Sequence, residues 1–253
     1  MNALVMLGLT VFAALQVLAA PGTIVLFNGT SSAGKSSLAE AMVQESKTKY
    51  EVISFDDFRH SYEEKQQTTR WGYKEYNEVM VALYRHAKAE AEAGKNVIID
   101  TVEFDRGYDT YCEILDCPKV IKVIVYCPLE HLLKRIDKRN NEGVPSNRRP
   151  VLLSFDQFVQ MYKPQTSPQE LVVARTSTSV LRAALVEAGQ KAGNTRRNQY
   201  QALYNEYVKV YGIDKDQELV LVPKGKYDVV VNTKWDSKKK NIRILEDYMK
   251  SRH

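Results

Sequence analysis

Apolar positions along the chain gather into short runs separated by longer stretches of helical periodicity. The runs Thr23–Phe27, Val52–Phe55, Asn96–Asp100, Val120–Cys127 and Tyr227–Asn232 predict five strands. Between the second and third, Tyr76, Met80, Leu83 and Ala87 recur at intervals of four, three and four residues, an amphipathic stripe that Gly94 can close as a C-terminal cap. After the fifth, Ile242, Leu245 and Met249 form an apolar stripe within Lys238–Lys250, which predicts a closing helix against the sheet, with Lys238-Lys239-Lys240 as its solvated start. Strands alternating with helices predict an α/β fold, a mainly parallel sheet flanked by helices.

Two stretches depart from that alternation. Between Lys163 and Lys224 the strands stop. The interval at about 164–224 opens with Pro164 and Pro168 and then shows helical patterns around Leu171–Ala188 and Tyr200–Tyr211, so it reads as a helical insertion over the core. Tyr200, Tyr204, Tyr207 and Tyr211 share one helix face, a packing stripe. At the other end, Ala3–Ala20 is uncharged and almost wholly apolar, like a signal peptide or a membrane anchor. Its leading residues include no Lys or Arg, and Pro21-Gly22 runs directly into the first strand, so a cut near Ala20 would leave almost no spacer. A helix packed on the domain and a later start of the chain are the competing readings. The expected organisation is an apolar segment at 1–20 and one domain at 21–253 that carries the insertion.

With 253 residues, 44% hydrophobic and 26% charged, the composition is that of a globular chain and excludes disordered, collagen-like and coiled-coil classes. A net charge of +5 is a mild bias towards anionic partners such as nucleotides and does not call for nucleic acid. Cys112, Cys117 and Cys127 form no Cys-x-x-Cys pair and have no His at zinc-finger spacing, so neither a disulfide framework nor a metal site is expected of them. Cys127, at the end of an apolar run, reads as a core residue.

The chemistry is concentrated after the first strand. Gly29-Thr30-Ser31-Ser32-Ala33-Gly34-Lys35-Ser36 has the P-loop spacing of Gly, four residues, Gly, Lys and Ser, and it is followed by Ser37 and a helix-compatible run. Glycines let the backbone curl so that successive N–H groups point at phosphate oxygens, while the helix that follows presents its positive end. Lys35 is expected to reach the β- and γ-phosphates of ATP, and the Ser36 hydroxyl to ligate Mg²⁺. A guanine-specific switch would carry Asn-Lys-x-Asp. Here Asn232-Thr233-Lys234-Trp235-Asp236 has one residue too many, and no second domain or repeat supports a motor.

A kinase of small acceptors needs a carboxylate near the P-loop to orient a hydroxyl and take its proton. Asp56 and Asp57 follow the second strand, on the edge where open α/β sheets bind ligands. Asp56 is the expected base and Asp57 the neighbouring alternative, with capping of the next helix as the structural reading. Asp100 ends the third strand, where it could hold Mg²⁺ through water, bind the acceptor or simply start a loop. Arg135 and Arg139 lie four apart on one helix face, placed to meet phosphate charge, with surface ion pairing as the competing reading.

Phe27-Asn28-Gly29-Thr30-Ser31-Ser32-Ala33-Gly34-Lys35-Ser36-Ser37 resembles the opening of chloramphenicol phosphotransferase-like proteins, whose P-loop is preceded by Asn and rich in Ser. The resemblance implies a P-loop NTPase/kinase-type sheet, use of ATP to phosphorylate a small-molecule hydroxyl, and a catalytic Asp at Asp56. Related kinases carry a mobile lid where Arg148-Arg149 stand here. Asp56-Asp57-Phe58-Arg59 also resembles the Asp-x-Phe-Arg segment of zeta-toxin kinases, which implies a UDP-amino sugar as the alternative acceptor. A reading from a different class is a nucleotide-binding module without kinase activity that uses the insertion for contacts. Dependence on ATP implies a domain facing a cytoplasm, with residues 3–20 packed or in contact with a membrane; export through a signal-like N-terminus is the alternative.

Overall fold

Ile24-Val25-Leu26-Phe27-Asn28 is apolar on both faces until its last residue, a pattern stable only where both faces are covered. The computed structural model, which describes residues 20–30, 32–66, 73–101, 108–116, 119–141, 170–173, 205, 217–220 and 226–252, places this run as the central strand β1 (Ile24–Asn28), buried throughout. Beside it lie β2 (Tyr50–Ser54), β3 (Asn96–Asp100), β4 (Val120–Tyr126) and β7 (Val229–Asn232), in the order β2-β3-β1-β4-β7, every neighbouring pair parallel.

Alternate residues of β1 serve two cores. Ile24 and Leu26 pack with Met80, Leu83, Tyr84 and Ala87 of the helix Tyr73–Glu92 and with Tyr111 of the helix Tyr108–Ile114. Val25 and Phe27 pack with Leu38 and Met42 of the helix α1 (Lys35–Glu45) and with Ile242 and Leu245 of the helix Lys238–Ser251. In chain order the helices after α1 are α2 (Phe55–Gln66), α3 (Tyr73–Glu92), α4 (Tyr108–Ile114), α5 (Leu129–Asn141) and α6 (Lys238–Ser251). The stripe expected on Tyr76–Ala87 is the core face of α3, and Gly94, at φ 88°, ends it with its N–H on Ala91 O. Cys127 is buried, as its position after β4 required.

Two expectations change. The second strand runs Tyr50–Ser54, so Phe55 opens α2 rather than ending β2. Ser54 Oγ accepts the Asp56 N–H at 3.1 Å, and Asp56 and Asp57 fall in the first helical turn, where carboxylates favour a helix start. In the insertion, a helix expected from Leu171 gives way to β5 (Glu170–Val173), which pairs in parallel with β6 (Gln217–Val220). Leu171-Val172-Val173 is a short apolar run that periodicity alone cannot distinguish from a helix segment, and a partner strand decided it. Val220 is fully buried and bridges Pro128 beside α5, tying this pair to the core. The other insertion positions, including Tyr200–Tyr211 apart from residue 205, lie outside the described residues, as do residues 1–19. Among the described residues no helix is long and apolar enough to cross a membrane.

Candidate active site

The loop leaving β1 turns sharply because its glycines permit it. A Cβ on Gly29 would lie 2.0 Å from Val125 O, so only glycine fits against β4. Asn28, fully buried, fixes this turn from below: its Oδ1 accepts the Gly29 N–H at 2.8 Å and its Nδ2 donates to Tyr227 Oη at 2.9 Å. Gly34, at φ 101°, is the left-handed residue from which α1 starts. No side chain caps α1, and its first turn holds no acidic residue, so the positive end of the helix is available to an anion. Lys35, largely buried, donates from Nζ to Gly29 O at 3.0 Å and Thr30 O at 3.1 Å, folding the loop around its own ammonium. Thr30 Oγ1 is buried with no hydrogen-bond partner among the described residues.

Strand register gathers the remaining groups. Asp100 is level with Phe27 of β1 on one side and with Ser54 of β2 on the other. Its Oδ2 accepts the Ser36 hydroxyl at 2.6 Å, which joins the two oxygen donors expected to serve Mg²⁺. The pair fits that ion: Mg²⁺ takes hard oxygen ligands and commonly needs only one or two from protein, with phosphate and water filling its octahedron. Among the described residues there is no cluster of three or more His, Cys, Asp or Glu able to hold a metal. Two residues beyond Ser54, Asp56 is half-buried with Oδ1 shielded from solvent, whereas Asp57 is exposed. Asp56 therefore stands on the same sheet edge as Ser36 and Asp100.

Arg135 is held by the loop itself and by Thr233. Its Nη1 donates to Ser32 O at 3.2 Å, Ala33 O at 3.0 Å and Thr233 Oγ1 at 2.9 Å, and its Nη2 to Thr233 O at 2.8 Å. The guanidinium thus braces the phosphate loop against the turn after β7. Thr233 completes the brace: its hydroxyl donates to Ala33 O, and its N–H donates to Tyr126 O at 3.0 Å. A Cβ on Gly34 would meet Thr233 at 3.2 Å and Arg135 Nη1 at 3.3 Å, so the loop, the arginine and the threonine are close-packed. Arg139 lies one turn further along α5, its side chain outside the described residues; Ser31 and Arg148-Arg149 lie outside them too. Ser32 and Ala33 belong to the braced loop, and Ser37 sits exposed in the first turn of α1.

Thr233 and Trp235 carry no motif of their own, since Asn232–Asp236 offers only a mis-spaced guanine motif. The available signal was position: the segment follows β7 on the same carboxyl edge as the P-loop. Trp235 is 37% exposed, with Lys234 Nζ 5.0 Å from its ring centre and the His131 ring edge-on at 6.3 Å. Burial, and then the nearby Lys234 charge, hold His131 below the usual imidazole range.

Comparison with known proteins agrees with this architecture. A crystal structure designated APE1195 superposes with a TM-score of 0.51 at 15% identity, covering 92% of this chain and 97% of that one. The Mycobacterium tuberculosis APS kinase CysC, solved with AMPPNP and APS, gives 0.49 at 12% identity, covering 91% and 98%. The first is a likeness of fold alone, and the second is too low to add to it. No curated protein gives a significant match. The family model for chloramphenicol phosphotransferase-like protein matches residues 22–170, from the glycine before β1 through the phosphate loop, Asp56, Asp100 and Arg135 to the start of β5. A match over more than half of the chain, on a parallel sheet that carries its phosphate loop on the central strand, shows that the chain belongs to the chloramphenicol phosphotransferase-like family of P-loop phosphotransferases.

Proposed function

We propose that this protein transfers the γ-phosphoryl group of ATP to a hydroxyl of a small molecule, with Asp56 as general base. The observation that carries the reading is the 2.6 Å contact from Ser36 to Asp100, which closes the phosphate loop onto the end of β3 beside β2 and Asp56. Loop N–H groups and the α1 N-terminus hold the phosphates, and Lys35 exchanges loop carbonyls for phosphate oxygens. Ser36 and Asp100 would hold Mg²⁺, which neutralises charge on the transferred group. Asp56 accepts the acceptor hydroxyl's proton as the new O–P bond forms and the bond from Pγ to the bridging oxygen breaks, releasing ADP. ATP dependence also favours a domain that faces a cytoplasm.

The test is transfer of label from γ-labelled ATP to a panel of hydroxyl-bearing antibiotics, nucleosides and UDP-amino sugars. A labelled product that requires Lys35 and Asp56 supports the reading and identifies the acceptor class. Tight ATP binding with no labelled acceptor across the panel would favour a binding module.

A further inference from the structure

The strands begin on the opposite edge of the sheet, and there the fold builds an open cavity of about 460 Å³, remote from the phosphate loop. It is lined by Pro21 ahead of β1, Lys47 in the turn after α1, Tyr50 of β2, Lys119 ahead of β4, and Glu246 and Lys250 of α6. These residues are far apart in the chain and meet only in the folded domain.

Charge on this rim is one-sided. Lys47, the adjacent Lys49 and Lys119 make no ion pair among the described residues, and Lys250 reaches only Asp247, in an exposed pair at 3.5 Å. Glu246 is the acidic lining residue, and its Oε1 is engaged by the Ser46 hydroxyl at 2.8 Å. Lys95 shows the contrast on the same edge, where Glu51 and Glu90 neutralise it.

The point where the chain enters the domain is rigid. Gly22 N–H donates to Ala91 O at 2.8 Å, Thr23 N–H donates to Asn96 Oδ1 at 3.0 Å, and a Cβ on Gly22 would lie 1.8 Å from Lys95 O. The apolar stretch 3–20 therefore joins the domain at the rim of this basic cavity. Its 18 residues contain no Asp, Glu, Lys or Arg, a length within the ~17–25 that suits a bilayer. What it lacks in sequence is a basic flank, and Lys47, Lys119 and Lys250 assemble one in three dimensions.

We propose that this face docks on an anionic bilayer surface, with Lys47, Lys119 and Lys250 against lipid headgroups where the apolar stretch enters the membrane. The five residues of β1 then hold the phosphate loop on the order of 16 Å further into the aqueous side, open to nucleotide. Each lysine at such a surface contributes about fivefold in partition, falling away within a Debye length as salt rises.

The full chain, bound to vesicles of phosphatidylcholine alone or with phosphatidylglycerol, would be footprinted by lysine acetylation and mass spectrometry. Reactivity of Lys47, Lys119 and Lys250 is expected to fall several-fold on the anionic vesicles relative to the neutral ones, while exposed Lys74 and Lys239 stay unchanged. Offered both vesicle types together, the Lys47→Gln, Lys119→Gln, Lys250→Gln triple variant is expected to lose about 10²-fold of its anionic preference. A variant with Lys65→Gln, Lys74→Gln and Lys239→Gln should keep the preference, and both variants should bind nucleotide as the parent does, which shows them folded. Equal reactivity of the three lysines on both vesicle types overturns the proposal. So does their protection by inorganic phosphate without vesicles, which would make the cavity a soluble-anion site.

Discussion

Lys35 and Ser36 are adjacent in the chain, yet one turns back onto the loop's carbonyls and the other reaches across to β3. Spacing made both legible, because the P-loop pattern is written in consecutive residues. The partners of Arg135 were not legible: carbonyl oxygens carry no side-chain signature, and Thr233 lies 98 residues away. Since lysine cannot reproduce a guanidinium that donates to several acceptors, Arg135→Lys is expected to weaken nucleotide binding about tenfold in calorimetry. Combined with Thr233→Val, the two losses should fall short of additive by ~0.5–1.4 kcal/mol, the upper end being the whole of the tenfold Arg135→Lys loss, as expected of residues in one network. At the other edge, burial and then Glu246 push Tyr50 up to about 12 from 10.0, while its hydroxyl donates to Met249 Sδ at 3.2 Å. A raised folded pKa means that the unfolded chain loses this proton first, so the contribution is complete below pH 10 and disappears between pH 10 and about 12. Urea unfolding at pH 9 and 11.5 should show the parent losing on the order of 2 kcal/mol more than Tyr50→Phe.

Among the elements, β1, β3, β4, β7, α3 and α6 lie where their apolar runs and stripes predict them, whereas the end of β2 and the strand β5 do not. β1, α3 and α6 have long or uninterrupted apolar patterns that only one structure satisfies. The β2–α2 boundary moved because Ser54, not a residue after Phe55, supplies the helix cap, and this places Asp56 in a helical turn two residues past Ser54, which is level with Asp100. Strand β5 was missed because four residues hold too few periods to separate strand from helix, and its partner β6 lies more than forty residues on. Val220 offers a direct check that β6 belongs to the core: Val220→Ala is expected to cost about 1–3 kcal/mol in denaturant unfolding. A loss near zero would place β6 outside the cooperative unit.

For the whole molecule, the parallel sheet gives the two edges different tasks. Every strand of the five-stranded sheet points the same way, so the P-loop, Asp56, Asp100 and Thr233 lie towards its carboxyl edge, as ligand sites of open α/β sheets do. The amino edge carries the entry of the chain at Pro21 and the lysines Lys47, Lys119 and Lys250. Family membership and the closed Ser36–Asp100 contact support phosphoryl transfer, and the identity of the base is the claim on which that mechanism turns. Transfer rate and nucleotide affinity should therefore be measured side by side for Asp56→Asn. Transfer is expected to fall by ~10²–10⁴ with nucleotide affinity held within a few-fold. Unchanged transfer in that variant would contradict the assignment of Asp56 and the mechanism built on it.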